Sequence, residues 1–201
     1  MIKLNVVNER ISGLIVFLQE IEKLQQVKRI IHYKDGSQEN SAEHSWHVAM
    51  FCLLLTPEVD PKADIGRVIK MALIHDLVEI YAGDTFLFDD EARKSKEKRE
   101  LDAAKKLFAQ LPADREQEFW ELFEEFESLK TAEAKIVKSF DHLQPLVHNL
   151  IHDGATWQRH HLTAKMHDTK KRPNMTHNKK ILDIYEQLHQ NAVSRKLFAD
   201  E

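Results

Sequence analysis

Met71-Ala72-Leu73-Ile74-His75-Asp76-Leu77-Val78-Glu79-Ile80-Tyr81 is the stretch on which the reading of this chain turns. Eight of its eleven residues are apolar, and the other three are a histidine and two carboxylates. An apolar run of this kind packs into a core, where unpaired ionised carboxylates are costly. A divalent cation compensates, because it takes imidazole nitrogen and carboxylate oxygen together. Read as one helix, the run sets His75 and Glu79 one turn apart and Asp76 and Glu79 three residues apart, so that all three lean toward one locus. The expectation is a metal site built into a core helix.

The rest of the chain supplies the setting. Its 201 residues suit a single domain, 1–201, with a sizeable core. Only five glycines and five prolines are present, which favours long helices over a turn-rich β architecture. A net charge of −4 provides no global basic field for nucleic acid or membrane. One cysteine, Cys52, rules out an intrachain disulfide and fits a reducing compartment. With no bilayer-length apolar stretch and no signal-peptide pattern at the N-terminus, the expected location is cytoplasmic.

Apolar spacing predicts an all-α bundle without strands: a helical core over 8–151, a polar irregular segment over 152–178 and a C-terminal helix over 179–197. The first amphipathic helix spans 8–31 and ends in Lys28-Arg29. Asn40 or Ser41 caps a second helix, apolar on nearly every side through Trp46, Ala49, Met50, Leu53 and Leu54, and therefore expected to be buried. Asp64 caps a third, which carries the run quoted above as far as Gly83-Asp84. Residues 91–110 read as a charged, solvated helix with pairs such as Lys96/Glu100. Phe119, Trp120, Phe123 and Phe126 mark one face of a further helix, either core or a dimer surface. A helix capped by Thr131 carries Asp141, with a kink expected at Pro145. From Arg159 to Lys180 there are seven Lys or Arg and one acidic residue. The absence of interleaved aromatics makes this solvated loop rather than a nucleic-acid surface.

A histidine on one helix, His75-Asp76 on the next and a lone Asp141 much later form the metal-binding pattern that HD-domain phosphohydrolases share. More closely, Glu39-Asn40-Ser41-Ala42-Glu43-His44-Ser45, His75-Asp76-Leu77-Val78-Glu79 and Gly83-Asp84 resemble the HD-domain 5′-deoxynucleotidase branch. The resemblance covers roughly residues 10–190. It implies an HD-domain helical bundle, a divalent transition metal (Mn, Fe, Co, Ni or Zn) on His44, His75, Asp76 and Asp141, and catalytic roles for Glu79 and for Asp84 near the sugar. It places Arg29, fifteen residues before His44, in the active site, where its fork suits a phosphate monoester. It also implies a nucleotide substrate, water activated by the cation, and a homodimer. Two departures stand out: Ile30 occupies the position where the deoxynucleotidases carry a tryptophan, and Ser37 one where they often carry an arginine. Deoxyribose selectivity is therefore expected to weaken.

Residue types alone leave alternatives open. His47, one turn on, rivals His44. Asp141 reads equally as a surface carboxylate, Asp84 as a turn residue, and Arg29 as a cation completing a helix C-terminus. The activity has rivals too: an HD-type hydrolase of a dNTP, cyclic nucleotide or alarmone, or a non-catalytic regulatory protein in which the metal only stabilises the fold. The alarmone hydrolases carry an acidic residue where this chain has Ile80.

Overall fold

The computed structural model describes residues 8–200. Helix α1 (Glu9–Ile21) passes through a 3₁₀ turn, Glu22–Gln26, into strand β1 (Lys28–His32), which pairs antiparallel with β2 (Gln38–Asn40). The expected helix over 8–31 is therefore shorter, and an otherwise helical chain contains a hairpin, the only sheet among the described residues. Lys28-Arg29 is the opening of a strand, not the end of a helix. The β-branched pair Ile30-Ile31 fits the pleat, and Gly36 at φ +87° permits the turn before β2.

Asn40 ends β2 and caps α2 (Ser41–Val59). Its side chain accepts from the backbone of Ala42 and Glu43, and Glu43 accepts in return from the Asn40 N–H. This capping box fixes His44 in the first turn. Helix α2 packs against α3 (Ile65–Ile74) and α8 (Ala132–Ile151), and these three make the centre of the bundle. Val48 and Cys52 of α2, Met71 of α3, and Phe140 and Leu143 of α8 are fully buried, each worth about 1.5–3 kcal/mol if wholly removed from water. Contrary to expectation, α2 is not buried all round: Trp46 and Leu54 are each 63 % exposed and Leu53 is 44 % exposed.

The third helix is broken where the quoted run carries its polar residues. α3 stops at Ile74, His75 is its C-cap, and α4 (Glu79–Ala82) begins after a tight turn. The Leu77 N–H bonds to the Ile74 carbonyl and the Glu79 N–H to the Asp76 carbonyl, three residues back. The charged stretch is likewise divided, into α5 (Asp90–Arg93) and α6 (Lys96–Phe108). Its Lys96–Glu100 pair is not solvated surface, since Glu100 is buried. In α7 (Ala113–Ser128), Phe123 is core, and Trp120 packs edge-on against Phe108. α8 runs through Pro145 without interruption.

The segment expected to be irregular, 152–178, folds as α9 (Ala155–Arg159), α10 (Ala164–Lys171) and a 3₁₀ turn, Arg172–Asn174, ahead of α11 (Lys179–Ser194). It is seated on the bundle by Trp157, which stacks on Phe198, and by the full burial of Met175 and Ile181. Gly154, at φ +72°, lies against the Leu197 carbonyl, where a Cβ would come within 2.2 Å of the oxygen, so only glycine fits. No helix among the described residues is long and apolar enough to cross a membrane.

Candidate metal centre

α8 contributes a polar face, Lys138, Asp141, Gln144 and His148, at intervals of three and four residues. That face meets the first turn of α2 and the C-terminus of α3. His44, His75 and Asp141 each place one potential ligand atom within 4.8 Å of the others. Asp76 lies against the same group. Its Oδ1 is 3.2 Å from His75 Nε2, and its Oδ2 is 3.7 Å from His44 Nε2. The chain leaves the α-helix after Ile74, so the turn over 75–78, and not the expected α-helical spacing, sets where Asp76 and Glu79 lie.

Hydrogen bonding fixes the tautomers of both histidines. Glu39 Oε1 can only accept, so the amide nitrogen of Gln144 donates to it at 2.7 Å. Gln144 Oε1 is thereby aimed at His44 Nδ1, 2.8 Å away, which must donate. His44 then presents the Nε2 lone pair to Asp141 Oδ1 at 3.1 Å. His75 repeats the pattern: its Nδ1 donates to the Ala72 carbonyl at 2.8 Å, and its buried Nε2 has no hydrogen-bond partner. Two buried nitrogen lone pairs thus face two carboxylates. A proton on His44 Nε2 would relieve one contact and leave His75 orphaned, whereas a single divalent cation satisfies all four groups. The donor set of two imidazoles and two carboxylates fits a borderline transition metal.

The surrounding charges are arranged around this locus. Burial favours neutral carboxyls, yet Asp76 is held below its ordinary value, with the Arg29 guanidinium beside it. Asp141 is held well below by Lys138, whose ammonium is 2.8 Å from Oδ2. Burial keeps His75 below its ordinary value and so neutral. Glu79 goes the other way: burial, then the charge of Asp76, push it well above the usual carboxylate range. Its Oε2 accepts from Ser41 Oγ at 2.6 Å, and its Oε1 accepts nothing among the described residues. Asp84 is also raised by burial, against the opposing pull of Arg29. Arg29 bridges the carboxylates, with Nε 3.2 Å from Glu39 and Nη1 at 3.1 Å from Asp76 and 3.5 Å from Asp84.

Every residue expected at the site is at or beside it. His44, His75, Asp76 and Asp141 converge. Arg29, Ile30, Glu79 and Asp84 line a cavity of about 110 Å³ that opens on Asp76 and Asp141. His47, the rival of His44, is not among the converging donors; its Nδ1 lies 3.2 Å from Gln144 Nε2. Nothing in the sequence marks Gln144, Lys138 or Lys171 as site residues, and Ser41 is marked only as a candidate helix cap and as part of the Glu39–Ser45 motif. Only the spacing of Lys138 and Gln144, three residues either side of Asp141, hinted at a shared face.

The purified protein is expected to hold about one divalent metal per chain by elemental analysis. His75→Ala and Asp141→Ala should lose it. Gln144→Leu should weaken metal affinity by roughly 10–100-fold, because His44 Nδ1 loses its orienting acceptor, while His47→Ala should keep full occupancy. Retained metal in His75→Ala would refute the donor set.

The sequence profile of the HD domain matches residues 21–183. A bovine protein named 5′-deoxynucleotidase HDDC2 is 32 % identical over 137 residues, which are 67 % of this chain and 65 % of that protein. The mouse protein of the same name is 30 % identical over 138 residues, 68 % of each. The matched part is therefore just under two thirds of the bovine relative's length. A crystal structure of a predicted metal-dependent phosphohydrolase from Magnetospirillum magnetotacticum MS-1 superposes with a TM-score of 0.87 at 40 % identity, covering 95 % of this chain and 96 % of that one. With the profile spanning most of the chain, this protein belongs to the HD-domain family.

Proposed function

We propose that the protein is a metal-dependent phosphohydrolase that cleaves nucleoside 5′-monophosphates to nucleoside and phosphate, with His44, His75, Asp76 and Asp141 holding the metal. The observation that carries this reading is the pair of buried histidine lone pairs aimed at two carboxylates, beside a cavity that also receives Arg29 and a protonatable Glu79. The names of the bovine and mouse relatives support the substrate class. A bound divalent cation would supply Lewis-acid charge and lower the pKa of a water molecule at the site.

The chain's own groups divide the remaining work. Asp141 and Asp76 are held toward the ionised form, the first by the Lys138 ammonium and the second beside the Arg29 guanidinium, which is the state a ligand needs. Glu79 is the proton-handling group. Ser41 fixes one of its oxygens, and Oε1 is left to exchange a proton with the attacking water or the departing 5′-oxygen. Asp84 lies 3.5 Å from Arg29 Nη1, on the cavity wall where a sugar hydroxyl can donate to it. A purely structural metal site would need neither a buried Glu79 nor a cavity beside it.

The homodimer implied by the family resemblance belongs to the same proposal, with the exposed apolar side of α2, Trp46, Leu53 and Leu54, as the face that a second copy covers. Light scattering should give twice the monomer mass, and Trp46→Glu with Leu54→Glu should halve it. A monomeric wild type would refute the dimer.

A phosphate-release panel over mono-, di-, tri- and cyclic nucleotides should select the monophosphates. Glu79→Gln should cut turnover by about 10²–10⁴-fold at unchanged metal content. Equal loss of metal would make Glu79 a ligand instead.

Ile30 forms part of the cavity wall. It lacks the flat face of the tryptophan in the resembling deoxynucleotidases, and a hydrophobic wall rejects an added hydroxyl by only about 10²-fold at best. The kcat/KM ratio between matched deoxy- and ribonucleoside monophosphates should fall below that value, and Ile30→Trp should raise it. A strong deoxy preference that Ile30→Ala leaves intact would assign selectivity to another residue.

A further inference from the structure

Five cations line the cavity: Arg29 from β1, Arg93 from α5, Lys96 from α6, Lys138 from α8 and Lys171 from α10. Arg29 commits Nε to Glu39 and Nη1 to Asp76 and Asp84, Lys96 pairs with Glu100, and Lys138 pairs with Asp141. Arg93 is exposed to solvent. Lys171 is different. It is only 8 % exposed, it lines the cavity, and among the described residues its ammonium has neither an ion pair nor a hydrogen bond.

A lysine side chain largely withdrawn from water without a counter-charge is unfavourable, so such residues are rare unless something pairs with them. Here burial, with Lys138 and Arg29 adding repulsion against the pull of Asp141 and Asp84, drives Lys171 down to about 7. Two further polar atoms on the same wall are also unanswered. His142 Nδ1 and His167 Nδ1 are buried without hydrogen-bond partners, and His167 sits one turn before Lys171 on α10. Apolar residues would line this wall at lower cost if nothing polar came to it.

We propose that Lys171 contacts the phosphate group of the substrate, which makes helix α10 part of the active site. Charge is the reason for assigning phosphate rather than base or sugar. A carbonyl or hydroxyl offers a hydrogen bond but leaves the ammonium uncompensated, whereas a phosphate dianion supplies both. Position agrees, because Lys171 lies within electrostatic reach of Asp141, Asp84 and Arg29, the groups that border the metal centre. The inference rests on the reading of the site as one for phosphate monoesters.

The test compares wild type, Lys171→Met and Lys171→Gln, all metal-loaded, by calorimetric titration with inorganic phosphate and separately with the phosphate-free nucleoside. Both variants should bind phosphate at least about tenfold more weakly, bind nucleoside as before, and keep their metal. KM for the monophosphate should rise. The melting temperature should hold or increase, since a buried unpaired charge has been removed; a structural lysine would give the opposite sign. Unchanged phosphate affinity overturns the assignment, as does weakened nucleoside binding with phosphate intact. Loss of fold in both variants also overturns it, because a residue required for folding has not been left unpaired for substrate. If wild type binds phosphate through Lys171 yet hydrolyses no nucleotide in the panel, the nucleotidase reading fails and the Lys171 contact stands.

Discussion

The hydrogen bond from Gln144 to Glu39 is the contact on which the rest of the site depends. Glu39 can only accept, so the amide of Gln144 has one orientation, His44 has one tautomer, and the remaining lone pair has one target. The end of the hairpin and the first turn of α2, contiguous in sequence, are thereby bound with the distant middle of α8 to one proton arrangement. His75 reaches the same state by a local route, through the Ala72 carbonyl one turn back in its own helix. The two imidazoles therefore present metal-ready nitrogens before any metal is considered, and the surrounding carboxylates would repel those lone pairs if nothing lay between them.

Backbone geometry turns these side chains toward one point. A straight helix through residues 65–82 would hold His75 and Glu79 on one face and would carry Asp76 away by about 100°. The turn between α3 and α4 removes that constraint, so Asp76 stays beside both histidines while Glu79 is delivered to Ser41 at the head of α2. The environments then separate the carboxyls by function. Lys138 beside Asp141 and Arg29 beside Asp76 favour ionised carboxylates; burial and the charge of Asp76 push Glu79 toward its neutral form. Groups of one chemical type pushed in opposite directions within one site are the usual signature of divided acid–base roles.

The far wall of the cavity comes from the part of the chain with the least apolar character. α9 and α10 bring Trp157, His167 and Lys171 inward, and they are held there by aromatic stacking on Phe198 and by the Gly154–Leu197 approach. Charge density along the segment says nothing about which of its lysines is buried. Lys170 points to Asp90 at the surface, whereas its neighbour Lys171 enters the cavity.

Residue patterning was enough for the helical class, for caps at Asp64, at Thr131 and at Asn40 or Ser41, and for His75-Asp76 as part of a metal site; His44 and Asp141 followed only from the family resemblance. The first three are local or strongly patterned features: a cap needs one side chain and its own backbone, and a His-Asp pair inside an apolar run is conspicuous wherever it ends up. His44 could be preferred to His47 only through the family resemblance, and tertiary structure settled their positions because the choice depends on Gln144, a hundred residues away. The hairpin at 28–40, the break after Ile74, the exposure of Trp46 and Leu54 and the inward turn of Lys171 were decided by packing alone. Each depends on which neighbour covers a face, and amphipathic spacing records that a face is apolar or charged without recording what is placed against it.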